Sequence, residues 1–288
     1  MKYVTLADLA KTVRTNIRKV PHDIDFVIGV PRSGVLAGSM IAEFLNVPLI
    51  DVDSFCFGAS PTGGRRVSFR EQRKHDVPTA LVVDDTIFYG GSMKTTREKL
   101  AKFYNKYDFI FMAVYLEGPC MDVDLWLEDL RGCIGPDCPF VLYEWNIFHH
   151  TNRIMSRCIY DIDGVLCVEP PDERTGQAYV DYVKSAIPLF TPSVMIGEIV
   201  SYRLSKYEDI TRAWLEKNGV KYGALTMFPA ESWKERADSH ISPAEFKADI
   251  YSQRRAMLFV ESEDGQAREI NRLTGKPVYC VKTNQLYQ

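Results

Sequence analysis

At 288 residues, with 46% hydrophobic and 25% charged side chains, the chain is long enough for two globular domains, each with its own core. A net charge of −3 argues against a broadly basic nucleic-acid-binding surface, and no run approaches the twenty apolar residues of a membrane-spanning helix. Seven cysteines without framework spacing suit a reducing compartment, and the N-terminal MKYVTLADLAKTV lacks a signal-peptide core, so the expected location is the cytoplasm.

In chain order, short β-branched runs alternate with helical patterns, which predicts an α/β architecture. DFVIGV (25–30), PLIDVD (48–53), ALVVDD (80–85) and FIFMAVYL (109–116) read as strands. Their near-continuous apolar character is that of parallel strands buried on both faces. VLAGSMIAEFLN and SMKTTREKLAKFYNK read as helices between them. Residues 54–79 break the rhythm and are too long for an ordinary connection. Their basic residues Arg65, Arg66, Arg70, Arg73 and Lys74 suit a lid over an anionic ligand.

Residues 118–150 are aromatic, Pro- and Cys-containing, with no clear period. From 157 the alternation restarts with RCIYDID, IGEIVS (196–201), ALTMF (224–228), AMLFVES (256–262) and PVYCV (277–281). The helix in SKYEDITRAWLEKNG is predicted to open on a Ser205–Glu208 capping box and stop at Gly219, and QAREINRLTG also ends on a glycine. The boundary is predicted near 150, giving domains 1–150 and 151–288.

LVVDDTIFYGGSM (81–93) sets two acids beside a glycine turn that feeds a helix. Gly90 and Gly91 allow close backbone approach to a phosphate, with Thr86 and Ser92 hydroxyls as further donors. Asp84 and Asp85 repel that phosphate but accept hydrogen bonds from a ribose diol. The stretch resembles the signature of type I phosphoribosyltransferases, which bind 5-phosphoribosyl-1-diphosphate (PRPP). The resemblance implies that Asp84, Asp85, Thr86, Tyr89, Gly90, Gly91 and Ser92 bind PRPP. IGVPRSGVLAG (28–38) resembles the family's pyrophosphate loop, with amides around Arg32, Ser33 and Gly34 facing the diphosphate through an unusual peptide conformation. VLYEWNIF (141–148) resembles its aromatic hood, with Trp145 stacking on the base. Family members acting on 6-oxopurines carry an Asp where Phe88 stands here and a small hydroxyl residue where Tyr89 stands, so the motif does not name the base.

Asp161 and Asp163 in YDIDGV close another apolar run. One such carboxylate can attack phosphorus while the other handles protons. DIDGV resembles motif I of the haloacid-dehalogenase (HAD) superfamily. That resemblance implies Asp161, Asp163, Ser201 and Lys247 as catalytic residues, and Asp161, Asp163, Glu261 and Asp264 as ligands of Mg2+. The short interval from Asp163 to Ser201 predicts a minimal cap.

The expectation is therefore two Rossmann-like α/β domains with mainly parallel sheets, a type I transferase fold followed by a HAD-like fold. The expected function is bifunctional: phosphoribosyl transfer between PRPP and a nitrogenous base, and hydrolysis of a phosphate monoester, consecutively on one nucleotide. A PRPP- or nucleotide-sensing regulator, and a phosphatase using the first domain for substrate recognition, are the alternatives. The partners expected are PRPP, a base and the monoester, with no membrane or nucleic acid; a homodimer is the family expectation. Cys120, Cys133 and Cys138 with His149 and His150 do not have the spacing of a zinc knuckle and read as structural. Cys158, Cys167 and Cys280 read as core.

Overall fold

The structure, a computed structural model, describes residues 1–64, 76–119, 121–135, 140–171 and 175–288. Arg65, Arg66, Arg70, Arg73 and Lys74 of the expected lid lie outside the described residues, as do Cys120 and Cys138. The chain divides into two compact units, Lys2–Trp145 and Asn146–Gln288, with Met1 grouped in the second. Among the described residues, no helix is long and apolar enough to cross a membrane.

The first unit runs β1 (Lys2–Val4), α1 (Leu6–Asn16), β2 (Phe26–Gly29), α2 (Ser33–Leu45), β3 (Leu49–Asp51) and α3 (Val52–Cys56). It continues with β4 (Thr79–Ile87), α4 (Gly91–Leu100), β5 (Asp108–Leu116), β6 (Leu125–Asp129) and β7 (Val141–Tyr143). A five-stranded sheet of order β3-β2-β4-β5-β6 is parallel throughout, and β1 pairs with β7, also parallel. The strands bury both faces by simple alternation. Val27, Leu81, Val83 and Met112 pack with Leu9, Val13, Ala37 and Ile41 of α1 and α2. Phe26, Ile28, Val82 and Phe111 pack with Phe55, Met93 and Leu100 of α3 and α4. The expected strand over 48–53 stops at Asp51, whose carboxylate accepts from Ser54 N at 2.9 Å and caps α3. Residues 118–150, which show no clear period, contain the short strands β6 and β7.

The second unit runs α5 (Asn152–Met155), β8 (Cys158–Tyr160), α6 (Gly176–Ser185), β9 (Ile196–Leu204), α7 (Glu208–Lys217) and β10 (Tyr222–Phe228). It ends with α8 (Trp233–Asp238), α9 (Pro243–Gln253), β11 (Leu258–Glu261), α10 (Asp264–Thr274), β12 (Val278–Cys280) and β13 (Gln285–Tyr287). Its six-stranded sheet, β10-β9-β8-β11-β12-β13, is parallel except for the final hairpin. α9 opens on a capping box between Ser242 and Glu245, with Pro243 in its first turn. The box expected at Ser205 and Glu208 is absent. α7 starts at Glu208, and Ser205 Oγ donates instead to Ala230 O at 3.0 Å and to Glu231 at 2.9 Å. Gly219 and Gly275 follow α7 and α10 at φ +69° and +65°, the left-handed turn that ends a helix most cheaply at glycine.

Both sheets reverse their strand order once. In the first unit the reversal lies between β2 and β4, and in the second between β8 and β11. Loops leaving the C-terminal ends of those strands open the crevice in which doubly wound sheets bind ligands.

Candidate active sites

In the first unit the loops after β2 and β4 meet at this crevice. Val30 N donates to Val83 O at 2.9 Å, and the Pro31–Arg32 peptide that follows is cis. A Cβ on Gly34 would stand 2.6 Å from Val83 O and 3.0 Å from Asp84 Oδ1, so only glycine lets the first turn of α2 lie against β4. Gly90 takes φ +74°, turning the chain into α4, whose first N–H groups face the same end of the sheet. The Ser33 hydroxyl lies on the Asp85 side of the pair and the Ser92 hydroxyl on the Asp84 side, each near enough to favour the charged carboxylate. The two loops thus converge on one pair of carboxylates.

Asp84 and Asp85 are only 7% and 3% exposed. Trp145 Nε1 donates to Asp85 Oδ2 at 2.6 Å, and Asp85 N donates to Asp84 Oδ1 at 3.0 Å. Burial, then the charge of Asp85, pushes the Asp84 carboxyl well above the usual range. Burial raises Asp85 too, against the hydrogen bond from Trp145. Trp145 leans on Tyr143 with ring centroids 5.0 Å apart, so its N–H addresses the acids while its ring rests partly on the core. Arg32 is exposed, as is Tyr89, whose ring lies 4.4 Å from that of Phe88.

Glu117, just beyond β5, belongs to the same edge, although no motif points to it. Its N–H donates to Ile87 O at 2.8 Å, and its Oε1 accepts from the Tyr143 hydroxyl. Burial pushes its carboxyl up to about 7, with Tyr143 opposing and the charge of Asp85 adding to the rise.

The second unit holds a cavity of about 330 Å³ at the end of β8 and β11. At its base Lys247 Nζ, from α9, donates to Asp161 Oδ2 at 2.6 Å, Glu261 Oε2 at 2.7 Å and Gln266 Oε1 at 3.0 Å. Burial works against the ammonium, but the two carboxylates outweigh it and hold Lys247 charged. Burial also pushes the Asp161 carboxyl up to about 7, against the pull of Lys247. Backbone N–H groups complete the acids: Ile162 N donates to Asp161 Oδ1 at 2.7 Å and Ser262 N to Glu261 Oε1 at 2.9 Å.

Asp163 lines the same cavity but belongs to a second charge pair. Arg203 Nη2 reaches its Oδ1 at 2.5 Å and Arg203 Nε lies 3.2 Å from both oxygens, while the Tyr182 hydroxyl donates to Oδ1 at 2.8 Å. Neither Arg203 nor Tyr182 stands in a motif. Arg203 shows only its strand periodicity, two residues after Ser201 on β9.

Two expected residues lie elsewhere. Ser201 is wholly buried within β9 and its hydroxyl oxygen accepts from Arg203 N at 3.3 Å; the following Tyr202 and Arg203 line the cavity in its place. Asp264 begins α10 and spends its carboxylate on Arg268, at 2.8 Å, and on the Tyr287 hydroxyl. A magnesium site needs several oxygens with open lone pairs facing one point. Among the described residues no three His, Cys, Asp or Glu side chains are grouped to hold a metal ion. Lys247 and Arg203 occupy the carboxylates that would have to turn toward it, so the residues as arranged do not fit the ion. Cys133 is exposed, and Cys158, Cys167 and Cys280 are buried free thiols.

No family model matches the sequence, and no curated protein matches it. Among solved structures the chain is similar to the xanthine-guanine-hypoxanthine phosphoribosyltransferase of Helicobacter pylori, at 14% identity and a TM-score of 0.36, over 51% of this chain and 93% of that one. It is similar to the orotate phosphoribosyltransferase of Aeropyrum pernix at 21% identity and a TM-score of 0.32, over 44% of this chain and 71% of that one. The purine phosphoribosyltransferase of Pyrococcus horikoshii gives 16% identity and a TM-score of 0.34, over 50% of this chain and 94% of that one.

Proposed function

We propose that the first unit transfers phosphoribose from PRPP to a nitrogenous base, and that the second hydrolyses a phosphate monoester, the nucleotide so formed, through an aspartyl-phosphate. The observation that carries the first half is the convergence of two loops on one acid pair, with Val30 N bonded to Val83 O at 2.9 Å and Gly34 packed directly against Val83 O and Asp84. Backbone N–H groups at the starts of α2 and α4 are suited to phosphate oxygens. Asp84 and Asp85 accept from the ribose hydroxyls, which take over from the indole donor that now holds Asp85. The bond from C1 to the diphosphate breaks, the bond from C1 to the base nitrogen forms, and that nitrogen gives up its proton.

The second half rests on Lys247 bridging Asp161 and Glu261 beneath the cavity. Asp161 attacks phosphorus, the ester P–O bond breaks with its electrons on the leaving oxygen, and Asp163 gives that oxygen a proton. Lys247 offsets the charge brought in by the phosphoryl group. Water then cleaves the acyl-phosphate, with Asp163 beside it to accept a proton.

One experiment addresses both halves. The purified full chain is incubated with PRPP, magnesium and a panel of bases, as wild type, D161N and D84N/D85N, and followed by mass spectrometry. Wild type should give nucleoside and phosphate, and D161N should accumulate nucleotide with hydrolysis reduced at least about 10³-fold. D84N/D85N should release no diphosphate. A wild type that releases none from any base refutes transfer, and undiminished phosphate release by D161N refutes the aspartyl-phosphate.

A further inference from the structure

A base nitrogen that carries hydrogen must lose it when it bonds to C1, so the first unit needs a group able to take a proton near the loop after β4. We infer that Glu117 is that group and that the acceptor is a nitrogen heterocycle presenting an N–H edge to it; the inference rests on the transfer reading. Glu117 leaves β5 where the chain enters Phe88 and Tyr89, since its N–H is bonded to Ile87 O at 2.8 Å. Gly118, next in sequence, lies so close to this segment that a Cβ there would stand 2.3 Å from Phe88 O. The Glu117 backbone therefore lies against the loop that closes the phosphoribose motif, and the Tyr143 hydroxyl holds its carboxylate.

Its two oxygens are inequivalent. Tyr143 holds Oε1, while Oε2 has no hydrogen-bond partner among the described residues and is open to a ligand N–H. Asp84 and Asp85 are poorer acceptors for this proton, because in the transfer reading their oxygens are taken by the ribose hydroxyls, as Trp145 Nε1 and Asp85 N take them in the free protein. The charged and titratable groups facing Glu117 are Asp85 from β4 and Tyr143 from β7; among the described residues no cation perturbs it. Burial holds the carboxyl up at about 7, where proton uptake and release are both accessible at neutral pH. The step balances: the nitrogen–hydrogen bond breaks, its electron pair forms the bond to C1, diphosphate departs with the C1–O pair, and Glu117 Oε2 takes the proton.

The test is the pH profile of kcat/KM for phosphoribosyl transfer by the full chain, with the best base from the panel, for wild type, E117Q, E117D and Y143F, alongside PRPP binding by calorimetry. Wild-type transfer should rise with pH through about 7, as Glu117 ionises. E117Q keeps the acceptor for Tyr143 and should bind PRPP normally, yet lose about 10²–10⁴-fold in kcat together with the acid limb. E117D should recover part of the rate. Y143F removes the hydrogen bond that opposes the rise and should move the limb to higher pH. E117Q with wild-type kcat and an unchanged limb overturns the inference while transfer stands. A wild type that binds PRPP but transfers to no base overturns transfer and the inference together.

Discussion

The two acid clusters sit at equivalent places, the strand-order reversals of two parallel sheets, but they are neutralised in opposite ways. Asp84 and Asp85 form no ion pair among the described residues; an indole and a backbone N–H hold them, with the Ser33 and Ser92 hydroxyls as further neutral influences. Asp161, Glu261 and Asp163 are each in an ion pair, with Lys247 or with Arg203. A buried like-charged pair with only neutral donors retains protons, and both its members titrate high. It suits a polyol, whose hydroxyls are neutral donors to the carboxylates. A cluster carrying its own cations is balanced before any ligand arrives, and its lysine can then serve a phosphoryl group. Strand-end acids alone therefore do not define a site; the donors around them do.

The sharpest way to break this contrast is to remove a cation from the second cluster. The side chains of Arg203 and Asp163 are 1% and 12% exposed. R203M should cost about 3–5 kcal/mol, because Asp163 is left buried without its partner. Urea unfolding should show this as a lower midpoint, and R203M/D163L should recover part of the loss, since an apolar pair of similar volume is tolerated better than half an ion pair. If R203M unfolds at the wild-type midpoint, the second cluster is not held by charge matching. In the first cluster the corresponding loss is a neutral donor. W145F keeps an aromatic ring on Tyr143 but withdraws the N–H from Asp85, and should cost about 1.5–3 kcal/mol, the worth of a hydrogen bond to a charged group.

These contrasts also explain what the sequence can and cannot show. Asp84, Asp85, Asp161 and Glu261 are legible because strands buried on both faces leave unbroken apolar runs, and an acid ending such a run marks the ligand-binding edge of the sheet. Glu117 carries the same mark after FIFMAVYL, so the signal was present without a motif to single it out. Arg203 carries no such mark, because its burial depends on a carboxylate 40 positions earlier. Ser205 and Glu208 satisfy a local capping pattern that tertiary partners override, and Asp264 fits an acidic motif although Tyr287 and Arg268 claim it. β6 is too mixed in composition and β7, at three residues, too short to announce themselves.

The smallest expected effect is the most discriminating, because its sign differs between the clusters. D84N puts a permanently neutral amide where burial and Asp85 oppose ionisation, keeps an oxygen for Asp85 N, and gives Asp85 an amide donor. The fold should gain on the order of 1 kcal/mol at pH 7. The pH dependence follows from the raised Asp84 carboxyl. Between the unfolded value near 3.8 and the higher folded one, the native state binds more protons than the unfolded chain, so stability falls as pH rises. D84N should flatten that decline and match wild type below pH 4, where the carboxyl is protonated in both states. D163N in the second cluster should do the reverse and destabilise at pH 7, because it strips Arg203 of its counter-charge. Thermal melts of both variants at pH 4 and pH 7 read the two signs directly. If both substitutions move the melting temperature in the same direction at pH 7, the distinction between a proton-sharing and a charge-matched cluster fails.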